Sequence, residues 1–170
     1  TFRWRMRDLA RLLADGLAPA LAARPDASLV MVNIAGGPAA DSWNALILLQ
    51  KEHPELLAGR RVRIYVLDVD AEGPHFGARA LSALTAAEGP LAPLDATLEY
   101  IAYDWSQPQQ LRILLRAIDA AHAVVAVSSE GGLFEYAADE QIVANLAVLA
   151  AETPADTIVA GPVVRDATTL

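Results

Sequence analysis

Apolar residues recur along this chain in two rhythms. Leu9, Leu12, Leu13 and Leu17 keep the three-and-four spacing of one helix face, so the chain should open with a helix. Five compact apolar runs follow, at residues 29–34, 62–67, 97–102, 123–127 and 157–160. None shows a clean alternation of apolar and polar positions, which predicts strands covered on both faces. Helical patterns fill the intervals: Phe76, Ala80, Leu81 and Leu84; then Leu111, Ile113, Leu114, Leu115 and Ile118; then Ile142, Val143, Leu146, Leu149 and Ala150. Ser106 and Gln109 have capping-box spacing with Pro108 in the first turn, and Pro154 lies just past the last helical pattern. Start-to-start spacings of about 30 residues are what βαβ units require. The expectation is an α/β domain with a doubly wound, mostly parallel sheet of about five strands.

Composition narrows the function classes. A chain of 170 residues with 54% hydrophobic content suits one domain with a real core, here residues 29–170 behind an N-terminal helical segment at 1–28. A formal net charge of −8 repels a phosphate backbone, so no nucleic-acid partner is expected. The absence of cysteine excludes disulfides, thiolate catalysis and sulfur-ligated zinc, and is compatible with the cytoplasm. No apolar run is long enough to span a bilayer and no signal peptide is evident, so no membrane partner is expected. Thr1 in place of Met, and Leu170 close behind an apolar run, suggest a trimmed chain. Arg3, Arg5, Arg7 and Arg11 read first as a solvated helix face or lid.

In an open parallel sheet, ligands bind outside the carboxyl ends of the strands near the point where strand order reverses. After the first run stands Asn33-Ile34-Ala35-Gly36-Gly37-Pro38-Ala39-Ala40-Asp41, a small-residue turn into a helix, short of the G-x-G-x-x-G dinucleotide signature. After the second come Asp68 and Asp70; Asp68 directly follows the apolar run and is the better candidate for ribose hydroxyls, while Asp70 suits a helix cap as well. The third run ends at Tyr103-Asp104-Trp105-Ser106, an acid beside an aromatic, fit either for adenine or for closing the core edge. The fourth ends at Ser128-Ser129-Glu130-Gly131-Gly132, with Tyr136 beyond. His53, His75 and His122 lack metal-ligand spacing and read as surface or capping residues, so no metal is expected.

The stretch 124–149, and the Glu130-Gly131 pair with its following Tyr136 in particular, resembles class I S-adenosylmethionine-dependent methyltransferases, nearest the leucine carboxyl methyltransferase group. The resemblance implies a Rossmann-like fold and S-adenosylmethionine as cofactor. Gly36 and Gly37 would then line the methionine part, Asp68 (with Asp70 beside it) the ribose, and Asp104 with Trp105 the adenine. Ser128 and Glu130 would face the reacting methyl group. The expected partner is a small-molecule acceptor, and a homo-oligomer is compatible with the reading. Two alternatives stay open. Asn33 in place of the family's acid, with the sparse glycine turn, favours a non-catalytic binding or dimerisation module. Asp68 would also serve a nicotinamide-dependent oxidoreductase, although the third glycine and a Tyr-x-x-x-Lys pair are lacking.

Overall fold

The computed structural model describes residues 2–163. Helix α1 (Phe2–Ala23) precedes β1 (Ser28–Ile34), α2 (Ala40–Glu52), α3 (Pro54–Leu57) and β2 (Arg61–Asp68). Then come α4 (Glu72–Leu84), β3 (Asp95–Ala102), α5 (Gln109–Ala117), β4 (Ala123–Ser128), α6 (Leu133–Tyr136), α7 (Asp139–Glu152) and β5 (Ile158–Ala160). All five strands are parallel, in the order β3-β2-β1-β4-β5. This is a doubly wound, Rossmann-like sheet, and its order reverses between β1 and β4. Each expected strand is present, the last beginning at Ile158 because the Thr157 N–H is turned back to the Pro154 carbonyl.

Side-chain alternation along the central strands feeds two cores. Leu29, Met31, Val62, Ile64, Val66, Val124 and Ala126 point to the face covered by α1, α2 and α4. Val30, Val32, Ile34, Val125 and Val127 point to the opposite face, under α5, α6 and α7. Helix α1 is part of the first core: Leu9, Leu13, Leu17 and Leu21 are buried there, against α2 and the sheet. Leu12, expected on that face, is 62% exposed; the buried stripe runs on through Leu21.

Three other helix faces are rotated from their expected positions. On α7, Val143 and Leu146 are exposed, and Asn145, Val148 and Leu149 point inward. On α5, Ile113 is exposed beside buried Leu111, Leu114 and Leu115. On α4, Phe76 is exposed, and Pro74, Gly77 and Leu81 face the core. Gly77 explains that orientation: a Cβ there would strike the Pro38 carbonyl, so α4 lies directly on the turn after β1. The expected Ser106 cap is not made. Helix α5 starts at Gln109, and the Ser106 N–H instead goes to Asp104 Oδ1 (2.9 Å).

The opposite end of the sheet is closed by two arginines. Arg24 donates to the carbonyls of Ala120, Ala121 and Ala123 (3.0, 2.8 and 2.8 Å), and Arg60 donates to those of Leu21, Arg24, Ala27 and Leu56. No described helix is long and apolar enough to cross a membrane.

If α1 belongs to the core, Leu17→Ala should cost about 2–5 kcal/mol and Leu12→Ala less than about 0.5 kcal/mol, read by urea denaturation. Equal losses at both positions would place α1 outside the cooperative unit.

Candidate functional site

The carboxyl ends of β1, β2, β3 and β4 surround a cavity of about 220 Å³. Its wall is Ala35 after β1, Asp68 and Val69 at the end of β2, Tyr103 and Trp105 after β3, and Gly131, Gly132 and Tyr136 after β4. It lies where strand order reverses, the place at which open parallel sheets take ligands. A larger depression, about 690 Å³, lies at the other end, among Arg60, Arg61, Arg63 and His122. Arg60 is engaged with backbone carbonyls there, and we give the smaller cavity the functional weight because it lies at the switch point.

The turn between β1 and α2 is held from below. Asn33 is fully buried, and its Nδ2 donates to Asp41 Oδ1 (2.7 Å) and Ser128 Oγ (3.2 Å). Gly36 rests on the Asn33 amide, leaving no room for a Cβ. Its lack of a side chain is therefore required by packing alone. Gly37 takes φ +55 with open space where a Cβ would be, and Ala35 and Ala39 also have positive φ, at 53 and 56. Alanine in the left-handed region is strained, and such strain clusters at binding sites.

Asp68 fastens this turn to β2. Its Oδ2 accepts the Gly37 N–H and its Oδ1 the Asp70 N–H, both at 3.1 Å. An ionised carboxylate has about four acceptor directions, so capacity for two hydroxyls is left. Asp70 is exposed and accepts the Glu72 N–H (2.7 Å) at the start of α4, the helix-terminal role. Asp104 is likewise exposed; its carboxyl is held below the usual range chiefly by the backbone N–H of Ser106. Of the candidates, Asp68 and Trp105 thus share the cavity wall, Gly37 adjoins it through Asp68, and Asp70 and Asp104 lie outside the lining.

Ser128 and Glu130 are buried behind that wall. Ser128 belongs to the Asn33–Asp41 group. Glu130 lies 4.0 Å from Arg5 Nε, and Arg5 donates to both carboxylate oxygens of Glu135 (3.0 and 2.9 Å). Arg5 also approaches Gly131, on the cavity rim. Burial pushes the Glu130 carboxyl up; Arg5 opposes the shift, and the charges of Asp41 and Glu135 add to it. Burial likewise pushes Asp41 up, against hydrogen bonds from Ser128, its own and the Ser42 backbone N–H, and Asn33. Asn33 Oδ1, Asp41 Oδ2, Ser42 Oγ and Glu130 Oε1 are buried without a hydrogen-bond partner.

Two contributors had no local signal. Arg5 sits in a run of arginines that reads as surface, and its partner is 130 residues away. Asn145 lies within an apolar helical pattern, yet it is fully buried and joins Tyr103 to the Trp105 carbonyl. Among the described residues, no group of three or more His, Cys, Asp or Glu side chains is arranged to hold a metal. No protein-family model matches the chain, and no curated protein matches it in sequence.

The raised pKa of Asp41 has a definite sign in stability. A carboxyl whose folded pKa lies above its unfolded value, about 3.9, adds stability that is complete below that value and lost as pH rises through the folded pKa. Asp41→Asn should therefore gain on the unaltered protein as pH rises from 4 to 7, in urea denaturation series. A difference that is constant across that range would show Asp41 ionised as readily in the fold as outside it.

Proposed function

We propose that this chain binds S-adenosylmethionine at the cavity between β1 and β4 and transfers its methyl group to a small-molecule acceptor. The observation that carries the reading is Asp41. A pyrophosphate site needs free N–H groups at the helix N-terminus after the first strand. Here the first turn of α2 holds a fully buried carboxyl, Asp41, which takes a hydrogen bond from Asn33 and places an acid where a pyrophosphate would lie. Asp68 adds a carboxyl at the cavity wall, and Arg5 is not free to hold a phosphate because it is already paired with Glu135. Such a site disfavours a dinucleotide and suits a cationic, phosphate-free cofactor.

The bound sulfonium would supply an activated methyl group, which leaves the protein to bind, orient and exclude water. Asp68 is suited to take the ribose hydroxyls on its free acceptor directions. Trp105 and Val69 offer apolar surface to the base. Glu130, buried after β4 behind the cavity wall, has a raised pKa and one oxygen without a hydrogen bond, properties of a group that can hold a proton next to the site.

The second reading, a module that keeps the fold without catalysis, has its own support. The cavity's 220 Å³ is below the roughly 300–1,000 Å³ usual for ligand pockets, and Arg5 with Glu135 closes over Gly131.

S-adenosylhomocysteine at a hundred times its Kd should stabilise the protein by about 2.7 kcal/mol, read as a rise in Tm, and NAD should not. Asp68→Ala should weaken that binding about ten- to a hundredfold by calorimetry, and Asp70→Ala far less. Stabilisation by NAD alone would replace this reading with the oxidoreductase, and no response to either would favour the module.

A further inference from the structure

Asn145 shares the buried face of α7 with Val148 and Leu149. A fully buried amide costs free energy unless its donors and acceptor are all used, and a leucine would pack there without that cost. Every polar atom of Asn145 is engaged. Its Oδ1 accepts the Tyr103 hydroxyl, and its Nδ2 donates to the Gln141 carbonyl one turn back and to the Trp105 carbonyl, both at 2.8 Å. The first and last of these bonds reach across to the segment after β3, which carries two residues of the cavity wall.

Tyr103 is buried in the second core and Trp105 packs against it, but the segment has few other hydrogen-bonded anchors. The Tyr103 N–H binds the Asp68 carbonyl (2.9 Å), after which Ser106 and Gln107 bond back to Asp104 within the same turn. The Asn145–Trp105 bond is thus the hydrogen bond that ties the Trp105 backbone to α7. Helix α7 has separate attachments, through Val148, Leu149 and the contacts of Glu152 with Arg112 and Arg116 (3.3 and 2.8 Å), so it does not need Asn145 to stay in place.

We propose that Asn145 is a positioning residue that sets the Trp105 wall of the cavity, so that a side chain buried in α7 governs ligand affinity without touching the ligand. The identity of that ligand rests on the cofactor reading above; the clamp itself does not. Tyr103 provides the internal control, because losing its hydroxyl removes one bond of the network and spares the one to Trp105.

The test labels the three tryptophans, Trp4, Trp43 and Trp105, with 5-fluorotryptophan and reads ¹⁹F NMR together with S-adenosylhomocysteine calorimetry. In Asn145→Ala the Trp105 resonance should shift or broaden while those of Trp4 and Trp43 stay, and affinity should fall about five- to tenfold. Tyr103→Phe should lose comparable Tm yet leave the Trp105 resonance in place; Tyr103 itself lines the cavity, so this variant is a control for the resonance and not for affinity. If the alanine variant does not fold, Asn145→Ser takes its place with the same expectations. An unmoved Trp105 resonance in the Asn145 variant, or an equal shift of that resonance in Tyr103→Phe, overturns the proposal. Should the unaltered protein not bind S-adenosylhomocysteine, the cofactor reading falls, and the Trp105 resonance alone decides the clamp.

Discussion

Asn33 is the constraint on which the functional end of this fold depends. It lies on β1, opposite Val66 of β2 and Ser128 of β4, where the strand order reverses. A valine there would fill the core as well as its neighbours Val32 and Ile34 do. It would also remove the Asn33 donor from buried Asp41, a deficit of about 1–3 kcal/mol and more if the carboxyl is charged. With asparagine, one amide joins β1 to α2 and β4, and its oxygen lies against Gly36. The path of the turn, the placing of Asp41 in the first turn of α2, and the approach of α4 onto that turn follow from this contact. An acidic group is also well placed at a helix N-terminus, where the backbone dipole favours it.

The layout of the sheet was legible because its signal is local. All five runs became strands, and the central β1 and β4 are buried on both faces as expected. The edge strand β3 is not; it alternates exposed and half-buried positions over most of its length, because only one side of an edge strand is flanked by the sheet. Helix existence was equally plain, but helix faces were not. The inward face of α7 includes an asparagine, which no hydrophobic pattern selects; its burial is made tolerable by partners at Tyr103 and Trp105, some 40 residues away. On α4 the inward face is set by Gly77, where close approach replaces side-chain bulk. Both cases reverse the usual rule that the largest apolar residue faces in.

Site residues divided in the same manner. Asp68 and Asp70 are two positions apart and look alike in the sequence, yet one joins β2 to the Gly36–Gly37 turn and the other receives a helix N–H. The difference is geometric: Asp68 ends the strand and Asp70 is already exposed beyond it. Trp105 lines the cavity and packs against the second core, whereas Asp104 turned outward to bond Ser106. Arg5 could not be separated from its neighbouring arginines, because only the folded chain brings α1 to Glu135.

That arrival alters the electrostatics of the site more than any motif does. Without Arg5, the end of β4 would set Glu130 and Glu135 close to Asp41 with no opposing charge, and Glu130 is already pushed toward its neutral form by burial. One guanidinium lowers this repulsion by pairing with Glu135 and approaching Glu130. A fully neutralised wall would have no preference for a cation, and an unopposed one would tend to hold protons in place of a ligand. Helix α1 therefore has two roles in one element: Leu9, Leu13, Leu17 and Leu21 complete the core on one side of the sheet, and Arg5, one turn before them, sets the charge of the cavity rim.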